Sequence, residues 1–345
     1  MTDTPRFSVV VPAHNAAAFL PETLGALAAS EMPRTAWELI VVDDASTDGT
    51  AAVARRFADN VLSLDGGPGG PGKARNAGAA VARGDWLAFV DSDVRVKPET
   101  LGRFRDSIQR HPHIVAVFGT YDDRPAARGL VSEYRNLLHR FVHLEHAGEA
   151  ATFWAGCGAV RRSAFEAAGG FDTDRYPRPS IEDIELGYRL GDLGGKIVLD
   201  PTIEATHLKR WTLWGIVKTD IGDRGIPWTR LLLERRGRTP RSLNTGGKEP
   251  AKVLLAGVAI GAAILALLAQ KAALLAVAAS ATLILIVWNA DVYLWFAQVR
   301  SVGFALAVVP LHLTHYACNV VAAASGVALY AQGRLRERFR KERMA

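Results

Sequence analysis

Three apolar runs in the first hundred positions are continuous rather than alternating: Phe7 to Val11, Leu39 to Val42 and Trp86 to Val90. Strands buried on one face alternate apolar and polar positions, whereas unbroken runs suit strands covered on both faces. Helix-start signals separate the runs. Pro12 breaks the first, the cluster Ser46-Thr47-Asp48 caps a helix beginning near Thr50, and a further helix is expected from about Ala74. Strand, helix, strand, helix, strand at this spacing predicts a parallel sheet with right-handed crossovers. Residues 1 to about 245 are long enough to bury a full α/β core.

The pattern changes beyond Lys252. Val253 to Ala269 and Ala272 to Trp288 are apolar without a charge and are separated only by Gln270-Lys271, which reads as a tight helical hairpin. A membrane span needs about 20 apolar residues, within a range of about 17 to 25. Their Ala and Gly content suits close helix packing in lipid. Ser301 to Ala331 is longer than one span needs and contains Pro310; hydropathy favours three spans, while the preference of the basic tail for the cytoplasm favours an even number, so three or four stay open. Between the two halves, Trp214, Ile216, Val217, Ile221 and Trp228 interleave with Lys218, Arg224, Arg230, Arg236 and Arg241, the composition of a helix lying in the headgroup layer. The organisation expected is an α/β domain over 1–210, an interfacial amphipathic segment over 211–250, transmembrane helices over 251–331 and a basic tail over 332–345.

Two of the strands end on acids. Asp43-Asp44 closes the second, and Asp91-Ser92-Asp93 closes the third. Carboxylates at the C-terminal tips of strands in an open sheet face the crevice where ligands bind. Asp91 and Asp93 supply hard oxygen donors suited to Mg²⁺ or Mn²⁺, although the same triplet also suits a strand entering a polar turn. The glycine-rich loop Gly66 to Gly72 precedes Lys73-Ala74-Arg75-Asn76-Ala77-Gly78, whose cations and helix N-terminus can reach a diphosphate.

Val-Pro-Ala-His-Asn from Val11, Asp-Asp-Ala-Ser-Thr-Asp from Asp43, Lys-Ala-Arg-Asn-Ala-Gly from Lys73 and Asp-Ser-Asp from Asp91 together resemble the nucleotide-sugar half of a family 2 inverting glycosyltransferase with the GT-A, Rossmann-like fold. Gly156 to Arg162, Gly169-Gly170-Phe171-Asp172 and Ile181 to Leu186 resemble the acceptor half, so the likeness covers roughly residues 6 to 211. The resemblance implies that Pro12, Ala13 and Asn15 line the nucleoside pocket and that Asp44 accepts the base N–H. It implies that Lys73 and Arg75 approach the base or diphosphate, that Asp91 contacts the ribose, and that Asp93 binds a divalent metal with Asp91 beside it. Asp183 would be the general base, with Glu182 next to it. Taken alone, Glu182-Asp183 also suits the first turn of a helix capped by Ser180.

His207 would add a metal ligand, and Arg210-Trp211 resembles the Arg-Trp element that lies near the diphosphate and acceptor in membrane-integrated relatives. The Gln that precedes this element in processive enzymes is missing, and Arg210 and Trp211 also suit an interfacial pair. The basic run abuts apolar helices, which disfavours nucleic acid as its partner, and a net charge of +6 over 345 residues adds little to that choice. Nothing near Met1 to Arg6 resembles a cleaved signal peptide, and Cys157 and Cys318 are not expected to form a disulfide. His312 and His315 share a helical face within an apolar segment and are expected to be hydrogen-bonded inside the bundle.

The expectation is a metal-dependent, membrane-anchored inverting glycosyltransferase of a bacterial-type inner membrane. It would use Mg²⁺ or Mn²⁺ and a cytoplasmic UDP- or GDP-linked sugar, with a lipid-linked or membrane-proximal acceptor. Alternatives are a processive polysaccharide synthase, which would need subunits to assemble into a homo-oligomer around a channel, and a catalytically silent membrane scaffold.

Overall fold

A computed structural model describes residues 6–235 and 247–344, with side chains to 337. Arg236, Arg238 and Arg241 of the basic segment, and the end of the basic tail, lie outside what is described. The chain forms two compact units, one of residues up to 128 with 139–210, the other of 129–138 with 211 onward.

The first unit is built on a nine-stranded mixed sheet. Its strands are β1 (Phe7–Ala13), β2 (Trp37–Asp43), β3 (Asn60–Ser63), β4 (Trp86–Val90), β5 (Val94–Val96), β6 (Ile114–Tyr121), β7 (Gly148–Ala150), β8 (Cys157–Arg161) and β9 (Lys196–His207). The spatial order is β3-β2-β1-β4-β8-β6-β9-β5, with β7 also on β9. The expected parallel half is β3-β2-β1-β4, and β1, β2 and β4 are buried throughout. Beyond it β8 runs antiparallel to both β4 and β6. The helices are α1 (Leu20–Ala28), α2 (Thr50–Ala54), α3 (Gly70–Val81), α4 (Thr100–Arg110), α5 (Leu130–Glu145), α6 (Arg162–Ala167) and α7 (Glu182–Asp192). Helix α5 begins in the second unit and ends in the first. One core joins β1, β2, β4 and β9 to α1 and α4 through Val9, Leu24, Leu39, Phe104 and Ala205.

Two register features position chemistry. Asp91 N–H donates to the Gly156 carbonyl at 3.1 Å, extending the β4–β8 ladder past Val90↔Cys157. The short strand β5 pairs antiparallel with the end of β9, Val94 opposite His207, and Leu208 N–H donates to the Asp93 carbonyl at 2.9 Å.

The second unit is helical: α8 (Leu213–Lys218), a π-helical turn (Thr219–Gly225), α9 (Ile226–Arg235), α10 (Glu249–Ala269), α11 (Ala272–Trp288), α12 (Ala290–Val299), α13 (Val302–Ala307) and α14 (Val309–Met344). The α10–α11 hairpin forms as expected, with Gln270 left-handed at the turn. It buries Ala256, Ala259, Ala262 and Ala266 of α10 and Ala278 and Ala281 of α11, small residues that let backbones approach. Outward, Leu254, Leu267 and Leu268 are 71%, 80% and 77% exposed, an apolar surface that suits lipid rather than water. Helix α10 and the stretch Val302–Glu337 are each long and apolar enough to cross a membrane, and α11 with α12 adds a third span if their 52° bend lies within one crossing. The four-span alternative has no counterpart among the described residues.

Helix α14 packs on the α8–α9 stretch through small residues. A Cβ on Gly225 would sit 2.5 Å from Ala322 Cβ, and one on Gly326 2.6 Å from Thr229 Cβ. His312 and His315 are hydrogen-bonded within this unit but to separate partners. His312 Nδ1 lies 3.1 Å from Tyr293 Oη, and His315 Nδ1 lies 2.9 Å from Asp220 Oδ2. Burial pushes the Asp220 carboxyl up, but the Arg135 guanidinium at 2.8 Å and His315 outweigh it and hold it well below the ordinary range. Lys252 is buried against Asn289 at 3.0 Å and Glu249 at 2.8 Å, and Tyr316 Oη completes the cluster on Asn289 at 2.9 Å.

Candidate active site

The first wall of the site is the pair of loops after β1 and β2. Pro12 and Ala13 are buried at the end of β1, and Asn15 follows with φ 49°, a left-handed turn that Asn tolerates. Asn15 Oδ1 accepts the Thr47 N–H at 2.9 Å and its own N–H donates to Ser46 Oγ at 2.9 Å, so the two loops are tied together. Asp44 is 3% exposed and accepts the backbone N–H groups of Gly69 (2.9 Å) and Gly70 (2.7 Å). This carboxylate orders the glycine-rich loop. Gly70 has φ +83°, and a Cβ there would lie 2.9 Å from the Pro177 carbonyl, so the loop must be glycine to approach the 174–180 segment. Lys73 is exposed, with its stem folded over Gly69.

The acids gather at the tips of β4 and α7. Arg75 on α3 is 3% exposed; its Nη2 donates to Asp91 Oδ1 at 2.6 Å and its Nη1 to Glu182 Oε1 at 3.0 Å. Glu182, 4% exposed, also accepts the Ser180 N–H at 2.9 Å. Ile181 occupies the N-cap position of α7 without a side-chain bond of its own, and Glu182 reaches back to the Ser180 N–H. Asp183 is half-buried and accepts the Ala155 N–H at 3.1 Å and the Ile184 N–H at 2.8 Å. The segment 154–156 thus touches both acid sets, through Gly156 to Asp91 and through Ala155 to Asp183. Sequence reasoning recognised Gly156 as part of a motif but not this bridge, because backbone N–H groups carry no residue signature.

Asp93 Oδ2 and His207 Nε2 face one another at 3.6 Å. That is too long for a hydrogen bond, and two donors at this spacing can close on one ion with bonds near 2.1 Å. Partial burial pushes the Asp93 carboxyl up, but the His207 imidazole and the Lys209 charge draw it below the ordinary range and favour its anionic form. The His207 ring stacks on Tyr121, centroids 4.6 Å apart and 16° from parallel, which fixes its orientation. Tyr121 in turn packs edge-on to Trp154 at 4.8 Å. Asp91, the third expected ligand, is tied to Arg75. No cluster of three or more His, Cys, Asp or Glu side chains stands ready for a metal among the described residues. A carboxylate and an imidazole still suit Mg²⁺ or Mn²⁺, ions that take their other ligands from water and phosphate.

Arg210 and Trp211 fall in different units. Arg210 Nη1 donates to the Arg128 carbonyl at 3.1 Å. Trp211 N–H donates to Ser132 Oγ at 2.8 Å, and the Arg135 guanidinium lies 5.3 Å from its ring centroid. Cys157 is fully buried, and burial pushes its thiol up to about 12, so it is chemically inert.

Known proteins share this fold and parts of this sequence. Residues 8–169 match the family model "Glycosyl transferase family 2". The poly(ribitol-phosphate) β-N-acetylglucosaminyltransferase TarS of Staphylococcus aureus is 38% identical over 110 residues, 31% of this chain and 19% of that protein. The probable glycosyltransferase YdaM of Bacillus subtilis is 27% identical over 62% of this chain and 54% of its own length. The validoxylamine A glucosyltransferase of Streptomyces hygroscopicus is 32% identical over 54% of this chain and 51% of its own. The chain thus spans from a fifth to about half of the length of these relatives. Among solved structures, the mannosyltransferase PcManGT of Pyrobaculum calidifontis, in complex with GDP-Man and Mn²⁺, superposes with a TM-score of 0.58 at 22% identity, covering 94% of this chain and 87% of that one. Residues 8–169 therefore form a glycosyl transferase family 2 domain, within a unit of GT-A fold that is continued by apolar C-terminal helices.

Proposed function

We propose that this chain transfers a sugar, with inversion, from a UDP- or GDP-linked donor to an acceptor held at a membrane surface. The observation that carries the reading is the 154–156 bridge, which holds Asp183 opposite the Asp91–Asp93 strand tip. The nucleoside would lie against Pro12, Ala13 and Asn15, with Asp44 and the glycine loop closing over it and exposed Lys73 reaching the diphosphate. Asp183, the more accessible of the Glu182–Asp183 pair, would take the proton of the acceptor hydroxyl as the sugar carbon is attacked from the face opposite the leaving group. Two backbone N–H donors orient its carboxylate for that transfer. A divalent cation would be held by Asp93 and His207, and when bound it would offset charge on the departing diphosphate. The relative solved with GDP-Man and Mn²⁺ supports such a site here. Helices that can cross a membrane, with an outward apolar surface, support a lipid-linked or membrane-proximal acceptor and a catalytic unit on the cytoplasmic side, where nucleotide sugars are made. The processive alternative would need a channel, which the two or three spans among the described residues could line only in an assembly of chains.

The test is a screen of nucleotide sugars for metal-dependent hydrolysis, with membranes extracted by alkaline carbonate and mass spectrometry of lipid extracts. A donor turned over only with Mg²⁺ or Mn²⁺, by a protein retained in the membrane pellet, is the expected result. Release of the protein by carbonate, or no binding of any nucleoside diphosphate, would overturn the reading.

A further inference from the structure

The motif carrying Lys73 and Arg75 suggests two cations reaching for one diphosphate. The structure assigns them different work: we infer that Arg75 is a positioning residue that clamps the donor-side strand tip to the acceptor-side helix, leaving Lys73 to meet the donor. The inference rests on the reading of the site given above.

Arg75 is 3% exposed, and two of its guanidinium nitrogens are engaged by carboxylates at 2.6 and 3.0 Å. A donor diphosphate would have to displace Asp91 or Glu182 and then sit against their charges. Arginine's planar fork can serve two carboxylates at once, which a lysine cannot do with the same geometry. The guanidinium carbon also lies 5.4 Å from the Phe171 ring centroid, and the next residue holds the same segment. Asn76 Nδ2 donates to the Phe171 carbonyl at 2.8 Å, and Phe171 N–H donates to Asn76 Oδ1 at 2.9 Å. A Cβ on Gly72 would fall 3.3 Å from Phe171 Cβ and 3.6 Å from Glu182 Cγ, so this face of α3 lies directly against both. From Arg75 the chain of contacts passes through Glu182 to the Ser180 N–H, the entry to α7, and Asp183 is the next residue along. Removing Arg75 would leave two carboxylates facing one another with their shared partner gone, and the cheapest relief is for the 178–184 segment to swing away. The base would then be misplaced while the nucleoside pocket stayed intact.

The experiment uses the full chain in detergent and the variants Arg75→Gln, Arg75→Lys, Glu182→Gln and Arg75→Gln/Glu182→Gln. UDP and GDP with Mn²⁺ serve as binding probes in calorimetry, release of UDP or GDP from the corresponding sugar nucleotides reports turnover, and amide hydrogen exchange reports local order. Expected are nucleoside diphosphate affinities within about threefold of wild type, because Arg75 makes no donor contact. Turnover should fall about a hundredfold in Arg75→Gln, the scale of a small misplacement of a catalytic group, with part recovered in Arg75→Lys. The double variant should be no slower than Arg75→Gln, since both changes act on one link, which Arg75→Gln breaks and Glu182→Gln only weakens. Exchange should rise across 178–184 in Arg75→Gln and stay unchanged across 43–50. A loss of more than about tenfold in diphosphate affinity, persisting in the Glu182→Gln background, would make Arg75 a donor ligand and overturn the inference. Unchanged exchange at 178–184 would overturn it too, even in a protein that turns over no donor, so its failure is separable from failure of the proposed activity.

Discussion

Replacing Asp183 by Asn separates what this carboxylate does chemically from what it does structurally. Its two oxygens accept the N–H groups of Ala155 at 3.1 Å and Ile184 at 2.8 Å. Asn offers one carbonyl oxygen and an amide that only donates, so one of those N–H groups loses its acceptor. One such bond is worth about 1 kcal/mol, and the site is half-open to water, so the fold should survive with a small loss in melting temperature. The chemical loss is larger. A general base contributes ~10²–10⁴-fold, or about 2.7–5.4 kcal/mol at about 1.36 kcal/mol per decade. Asp183→Asn should therefore lose at least about a hundredfold in turnover with donor affinity nearly intact. Glu182→Gln keeps an oxygen for Arg75 and should lose about tenfold or less. Steady-state transfer, donor calorimetry and thermal melting of both variants decide the matter. Near-normal turnover in Asp183→Asn beside a dead Glu182→Gln would mean that the base is the other carboxylate.

Three further expectations follow from particular contacts. A Cβ on Gly187 would lie 2.4 Å from the Phe153 backbone nitrogen, so Gly187→Ala should push α7 off the segment that holds Asp183, costing about 1–3 kcal/mol and much of the turnover. Gly191→Ala, with nothing within 4 Å, is the neutral control in melting and activity assays; equal behaviour of the two would refute the packing argument. Asp93→Ala should weaken nucleotide binding far more in the presence of Mn²⁺ than in its absence, and equal weakening would exclude Asp93 as a ligand. Burial pushes the Glu38 carboxyl up, but Ser8 Oγ at 2.6 Å and the Arg83 N–H at 2.7 Å, with the Arg83 guanidinium, hold it below the ordinary Glu value of 4.5. A depressed folded value gives stability that is present above 4.5 and lost as pH falls through the lower value. Glu38→Gln should therefore melt earlier at neutral pH, the gap closing in acid; a gap that widens in acid would reverse the sign.

What the sequence shows and what it hides divide along the range of the interactions. The runs at Phe7, Leu39 and Trp86 are local patterns, and all three are the buried strands expected. Strand β8 is five residues long with Gly158 inside it and sits antiparallel between β4 and β6, a placement set by partners distant in sequence. Asp91, Asp93 and Asp183 stand where their motifs put them because strand tips and helix starts are local features. The partner of Arg75 is not, since it depends on how a face of α3 meets residues 170–182. In the helical half, composition reveals apolar helices but not the 52° bend near Asn289, which takes its hydrogen bonds from Lys252 and Tyr316 on other helices.

The β5–β9 ladder has a consequence for how such a site can change over time. Because Val94 is opposite His207, the facing of Asp93 and His207 is written in backbone pairing rather than in the intervening loops. Insertions between the two strands, even whole subdomains that reshape the acceptor cleft, leave the pair together as long as the ladder holds. A single-residue deletion within Val94–Val96 or Ala205–His207 would do the opposite. It would turn every side chain on that short strand to the other face and carry one donor of the pair out of the site. Length changes are tolerated in the intervening loops and excluded from these six residues.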